Sequence, residues 1–226
     1  MIKQLTKKTV ARIDSKLNTS LSLKLSNFAE LYRSSILLNM LRRKTQPMLV
    51  KFQYKFRIGN EYHLKLHLGC GSKRLDGYIN IDWRKTVATD LVCDIRKLPY
   101  PDNSVDIIET YHVIEHLPRH HLPGTLLNWF RILTPGGSLI IECPDLDRSV
   151  SRYLQGEDKQ LDAIFGHQRF KGDYHLFGYN FKRLSSLLKD AGFINVSEKT
   201  PRDYHTKSWP CIRVECNKSV PSSLLS

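Results

Sequence analysis

Cysteine is sparse in this chain and follows no metal-binding spacing. The five residues, Cys70, Cys93, Cys143, Cys211 and Cys216, suggest neither a zinc module nor a disulfide framework, and they read as reduced thiols of a cytoplasmic protein. Long apolar runs are missing as well. Ile36-Leu37-Leu38-Asn39-Met40-Leu41 is the most apolar stretch of the N-terminal region and is far too short to cross a bilayer, so no transmembrane segment is expected. Thr9-Val10-Ala11 runs at once into Arg12 and Asp14, which leaves no apolar core for a secretory signal.

Acidic residues are nearly absent from the first 60 positions. That stretch holds 13 Lys/Arg against two Asp/Glu, a balance of +11, whereas the other 166 residues hold 22 against 20, a balance of +2. The chain therefore divides into a basic, partly helical extension over 1–60 and a near-neutral domain over 61–226, long enough for one α/β core. Ser26 can cap a helix running to about Arg43, with Arg42, Arg43 and Lys44 complementing its C-terminal dipole. Its apolar residues spread around the wheel, which suits a packed helix or a subunit contact in a homo-oligomer. The excess charge has two readings: solubility, or attraction to an anionic partner such as nucleic acid, a phosphorylated glycan or a membrane surface.

Within the domain, Leu66-His67-Leu68-Gly69-Cys70-Gly71-Ser72 carries a β-prone segment into a glycine turn, and Tyr78-Ile79-Asn80-Ile81-Asp82 ends a second segment on a carboxylate. Gly69 and Gly71 let backbone come close to a ligand, and Asp82 can accept both hydroxyl hydrogens of a ribose. This arrangement cups a nucleoside at the carboxyl edge of a parallel sheet. A nicotinamide site is the first rival, but it wants a third glycine, a long helix after the turn and its acid about 20 residues on. Here Asp82 follows Gly71 by eleven residues, and the intervening stretch has room for about a turn or two of helix at most.

These residues resemble the cofactor site of a class I S-adenosylmethionine-dependent methyltransferase, in a short-gap Gly-Cys-Gly branch related to the type 11 group. Further stretches continue the resemblance in order: Asp90-Leu91-Val92-Cys93-Asp94-Ile95, then Glu109-Thr110-Tyr111-His112-Val113-Ile114-Glu115-His116-Leu117, then Leu133-Thr134-Pro135-Gly136-Gly137. It covers about residues 62–216. It implies S-adenosylmethionine as cofactor, held by Leu68, Gly69, Cys70, Gly71, Asp82, Trp83, Asp94, Ile95, Tyr111 and His112. Asp94 would receive the adenine amino group, with the Ile95 amide near a ring nitrogen.

The expected fold is α/β, a Rossmann-like seven-stranded and mostly parallel sheet with helices on both faces. The resemblance makes the last strand antiparallel. Strands are placed near 64–68, 78–82, 90–93, 104–108, 138–143, 192–197 and 210–216, with crossover helices at 124–132 and 180–191. Residues 146–179, rich in Tyr and His, form an insertion that roofs the acceptor site. His112 and His116 are expected four residues apart on one helical turn, but the segment is not H-E-x-x-H and no metal site is assigned. His116, His175 and Asp145 are the acid-base candidates. The segment Glu109-Thr110-Tyr111-His112 lacks the Pro-Pro-aromatic sequence that resemblance associates with base amines. The expected acceptor is a hydroxyl of a sugar, glycolipid or other small molecule. An RNA or protein methyltransferase is the enzymatic alternative, and a non-catalytic cofactor-binding partner protein is the other class.

Overall fold

The computed structural model describes residues 63–221, and the basic extension with its expected helix lies outside the described residues. The strands are β1 Lys65–Leu68, β2 Ile79–Asp82, β3 Leu91–Val92, β4 Val105–Tyr111, β5 Leu133–Pro144, β6 Phe193–Lys199 and β7 Cys211–Lys218. The helices are α1 Leu122–Ile132, α2 Leu146–Leu154, α3 Gln160–Phe165 and α4 Phe181–Asp190. One seven-stranded sheet runs in the order β3-β2-β1-β4-β5-β7-β6, parallel except for β7, which is antiparallel to both neighbours. The expected sheet is therefore present. Strand order reverses between β1 and β4, and the segments leaving their carboxyl ends open a crevice there.

Alternation along the strands sorts side chains onto two different faces. Leu66, Ile79, Ile108, Leu139, Ile141, Ile212 and Val214 join one buried apolar cluster with Leu122, Leu126 and Trp129 of α1 and Leu184 and Leu188 of α4. The other face is polar. Asn80, His67 and Glu109 stand in register across β2, β1 and β4, and Tyr111, Glu142 and Arg213 do so across β4, β5 and β7. Glu142 and Arg213 are fully buried and paired at 2.7 Å, with Glu215 on the other side of the guanidinium.

Local chemistry sets the element ends. Asn180 caps α4 by accepting from the Arg183 amide at 2.8 Å, and Gly192 leaves the helix at φ +96°. The stretch Thr134–Gly137, which precedes the strand expected at 138–143, is absorbed into β5 as a bulge. Register jumps from Val105↔Leu133 to Ile107↔Ser138, with Gly136 at φ +79° making the kink. No helix forms between β1 and β2, so the gap is shorter in structure than even the turn or two allowed for it. No described helix is long and apolar enough to cross a membrane, and the five cysteines form no disulfide.

Glu142 is the polar hub of this fold. Besides Arg213, its carboxylate accepts from the backbone amides of Arg202 at 2.9 Å and Asp203 at 3.0 Å, pinning the β6–β7 loop to the sheet. Glu142→Ala strands Arg213 beside Glu215 alone and frees both amides, so urea unfolding should show a loss of about 3 kcal/mol. Asn180→Ala removes only a cap and should lower stability by about 1 kcal/mol in the same measurement.

Candidate active site

The glycine turn after β1 is held against the end of β2. The Gly69 and Cys70 amides both donate to the Ile81 carbonyl, at 2.8 and 3.1 Å, and the Gly71 amide donates to Asp82 Oδ2 at 2.8 Å. Asp82 Oδ1 accepts from the Arg84 amide at 2.8 Å, so each carboxylate oxygen keeps a lone pair for a ligand hydroxyl. The two glycines serve different ends. A Cβ on Gly69 would lie 2.1 Å from Val113 Cγ2, so this residue is required for packing against the segment after β4. Gly71, at φ +51°, has nothing within 4 Å of a built Cβ, and the open space beside Asp82 belongs to it. Leu68 and Cys70 are buried, with Cys70 Sγ near Thr89 Oγ1.

The expected adenine contacts are arranged differently. Asp94 is half-exposed and its carboxylate is gripped by the Arg96 guanidinium at 2.7 to 3.1 Å while also capping the short turn Ile95–Lys97. Arg96 holds its pKa below the usual carboxylate range. Ile95 is buried, and its carbonyl receives the Trp129 indole N–H at 2.8 Å. Trp83 is exposed and lies beside Gly172 of the insertion. The Tyr111 hydroxyl donates to Glu109, which also takes the Tyr78 hydroxyl, so its ring lies on the polar face of the sheet.

After β4 the chain does not continue as one helical turn. His112 takes φ +54°, a left-handed conformation, and a short 3-10 turn follows only over Ile114–His116. The two imidazoles consequently diverge, with Glu115 between them. His112 Nδ1 lies 3.3 Å from Glu115, its Nε2 lies 3.7 Å from Asp203 and 3.6 Å from Cys211 Sγ, and its ring centroid is 4.0 Å from His205. Burial works against a charge on His112, but its contact with Cys211 and the nearby Glu115 carboxylate prevail and raise its pKa. Burial likewise opposes ionisation of Glu115, and the surrounding His112, His116 and His175 overcome it and hold its pKa low.

His116 turns to the insertion and meets His175 edge to face at 4.8 Å. His116 Nδ1 bonds the Tyr174 carbonyl and His175 Nδ1 the Ala163 carbonyl, each at 2.9 Å. Burial lowers the His175 pKa, which favours the neutral ring. Asp145 is separate from this pair. It caps α2 through the Arg148 amide at 3.1 Å and forms an ion pair with the Arg148 guanidinium at 3.0 Å. Of the insertion's aromatics, Tyr179 is buried against the core with Phe177 packed on it, while Tyr174 is exposed.

The β6–β7 loop supplies residues that belong to no motif of the sequence. Tyr204, His205 and Trp209 stack in series, with His205 at 3.9 Å from Tyr204 and nearly parallel to Trp209 at 5.6 Å. They line an open cleft of about 530 Å³ with Lys159, Asp162, His167, Arg169, Lys207 and Ser208. The sequence signal was the cluster Asp203-Tyr204-His205 followed by Trp209, whose significance depends on the loop folding back over β4.

Substitution of the two glycines should separate packing from binding. Gly69→Ala should destabilise the fold by about 2 kcal/mol or more through its clash with Val113. Gly71→Val, which costs about 1–2 kcal/mol through its left-handed backbone, should act chiefly on S-adenosylmethionine affinity. Thermal melts and calorimetry on both variants give the two readings.

Comparison with known proteins agrees with this geometry. Residues 66–141 match the methyltransferase domain of the type 11 group. A probable S-adenosylmethionine-dependent methyltransferase of Mycolicibacterium smegmatis is 30% identical over 100 residues, 44% of this chain and 33% of that protein. One from Mycobacterium tuberculosis is 29% identical over 104 residues, 46% of this chain and 32% of that protein. The chain thus spans about a third of the length of the curated relatives it matches. In fold it is similar to an S-adenosylmethionine-dependent methyltransferase from Archaeoglobus fulgidus, at 16% identity and TM-score 0.50 over 81% of this chain and 99% of the other. The glycine turn, the carboxylate at the end of β2 and the sheet order accord with the match of residues 66–141 to the methyltransferase domain of the type 11 group.

Proposed function

We propose that the chain transfers the methyl group of S-adenosylmethionine to a hydroxyl of a sugar, glycolipid or other small molecule. The observation that carries the cofactor half is the Gly71–Asp82 contact, which leaves open space beside a carboxylate with lone pairs to spare. The residues fit the group: Gly71 gives room for its amino-acid portion and Asp82 accepts from its ribose. When bound, the sulfonium supplies an already activated methyl, so the protein's task is alignment and proton management. Leu68, Cys70, Trp83, Asp94, Ile95, Tyr111 and His112 remain assigned to the cofactor's surroundings by resemblance, with Asp94 acting only if Arg96 gives way.

The cleft beside the β6–β7 loop supports the acceptor half. Its Tyr204-His205-Trp209 stack offers aromatic faces to a sugar ring, and Lys159, Arg169 and Lys207 favour an acceptor that bears an anionic group. His116 and His175 are the pair that serves the acceptor hydroxyl, each with its Nδ1 anchored on a carbonyl and its Nε2 left to act. Asp145 has a positioning role, since it starts α2 and ties Arg148 down. The domain over 61–226 carries this chemistry in our reading, and the basic residues 1–60 serve contact with an anionic partner or a second copy.

Labelled S-adenosylmethionine offered to separated glycan, lipid, metabolite, RNA and protein fractions identifies the acceptor, with the product read by mass spectrometry. An oxygen-methylated glycan or metabolite is expected, and a nucleobase or protein product overturns the acceptor class. Asp82→Ala should weaken cofactor binding by roughly tenfold or more, since a hydrogen bond to a charged group is lost. His116→Ala and His175→Ala should retain cofactor affinity and lose turnover. Deleting residues 1–20 should leave cofactor affinity unchanged.

A further inference from the structure

We infer that Glu115, His116 and His175 form a binding site for one divalent transition-metal cation of the zinc or manganese type. Each residue offers a ligand atom, and the three atoms lie within 4.8 Å of one another. A four-coordinate cation with bonds near 2.1 Å holds its ligands about 3.4 Å apart, so its binding would draw the three side chains together.

Two further observations point to a ligand. The first is the tautomer of both imidazoles. A carbonyl oxygen can only accept, so each Nδ1 donates at 2.9 Å to the Tyr174 or Ala163 carbonyl, and the neutral ring then keeps its lone pair on Nε2. This is the outer support that metal-bound histidines require. The second is Glu115 itself. It is fully buried, yet neither carboxylate oxygen accepts a hydrogen bond from any described residue; His112 offsets the charge from one side at 3.3 Å without satisfying it. A buried carboxylate left in that condition is costly, and a cation between it and the two Nε2 atoms resolves the cost.

The backbone is built to hold this arrangement. The Leu176 and Phe177 amides both donate to the Glu115 carbonyl, at 2.7 and 3.2 Å, which locks the insertion onto the turn after β4. Gly166, at φ +76°, leaves no room for a Cβ, which would lie 2.3 Å from the Asp173 carbonyl oxygen and 3.0 Å from the His175 amide nitrogen. The neighbouring group His112, Asp203 and His205 is less suited. Asp203 is already bonded by the His205 ring and amide, so its carboxylate is not in want of a partner. Two nitrogens and one oxygen favour zinc or manganese over magnesium and calcium, which prefer oxygen alone.

Three protein ligands leave coordination positions open, and this deepens the methyl-transfer reading on which its catalytic use rests. An acceptor hydroxyl bound there loses its proton to solvent at a lower pH than it otherwise could. The oxygen then forms its bond to the methyl carbon as the carbon–sulfur bond breaks, with the electron pair staying on sulfur.

Tag-free full-length protein, dialysed against chelator and then desalted, is titrated calorimetrically with zinc chloride, manganese chloride and magnesium chloride in the absence of S-adenosylmethionine. Zinc or manganese should bind with one equivalent per chain, confirmed by elemental analysis. Glu115→Gln, His116→Ala and His175→Ala should each weaken that binding by roughly 100-fold, since each removes one of three protein bonds. His120→Ala, which alters the histidine pair before α1, should not change it. Cofactor affinity, measured in parallel, shows that each variant is folded. No stoichiometric binding, a preference for magnesium, or unchanged binding in both histidine variants overturns the site. Full methyl transfer by protein shown to have lost its metal overturns the catalytic use. Stoichiometric metal in a protein that methylates nothing counts against the proposed function and leaves the site standing.

Discussion

The site depends on one buried carboxylate. Glu142, near the carboxyl end of β5, holds Arg213 on one side and two backbone amides of the β6–β7 loop on the other, and its own carbonyl receives the His112 amide at 2.9 Å. A charge in that position is tolerated because every bond to it is charge-assisted or comes from a backbone donor without another use. It couples three chain segments at the crevice: the turn after β4, the strand β5 and the loop that carries Tyr204, His205 and Trp209.

The division of the sheet into two faces explains why the chemistry gathers where it does. One face is apolar and meets α1 and α4, which gives the domain its rigid core. The polar face carries Asn80, His67, Glu109, Tyr111, Glu142 and Arg213 in rows, each satisfied by a cross-strand or neighbouring partner. The strands deliver their next residues to the carboxyl edge, where Asp82, His112 and Asp145 stand. Glu115, four residues beyond the end of β4, lacks hydrogen bonds to its carboxylate among the described residues, and it lies near His116 and the insertion's His175.

Several features of the site were legible because they depend on local geometry. A glycine at a left-handed backbone position, a carboxylate ending a strand and an Asn–Gly pair bracketing a helix each leave a mark within a few residues, and Gly71, Asp82, Asn180 and Gly192 all stand where their spacing placed them. Other features have a tertiary cause that the sequence does not show. Gly69 is needed for Val113, a contact across 44 positions, and His112 departs from the helical turn because its backbone is left-handed. Asp94 and Asp145 had arginines two and three residues away whose grip on them the sequence pattern did not reveal.

By itself the sequence determined the strands, the glycine turn and the carboxylate that ends β2, since these follow from hydrophobic period, turn chemistry and motif spacing along the chain, and the family resemblance added the antiparallel last strand. Tertiary structure alone decided which titratable groups meet. His175 reaches His116 across 59 positions, and His205 reaches His112 across 93, through an insertion and a loop with no periodic signal of their own. Their positions are set by hydrogen bonds to distant backbone, at the Glu115 and Ala163 carbonyls and at the amides taken by Glu142. Such bonds satisfy groups that every residue carries, so nothing in residue type announces them.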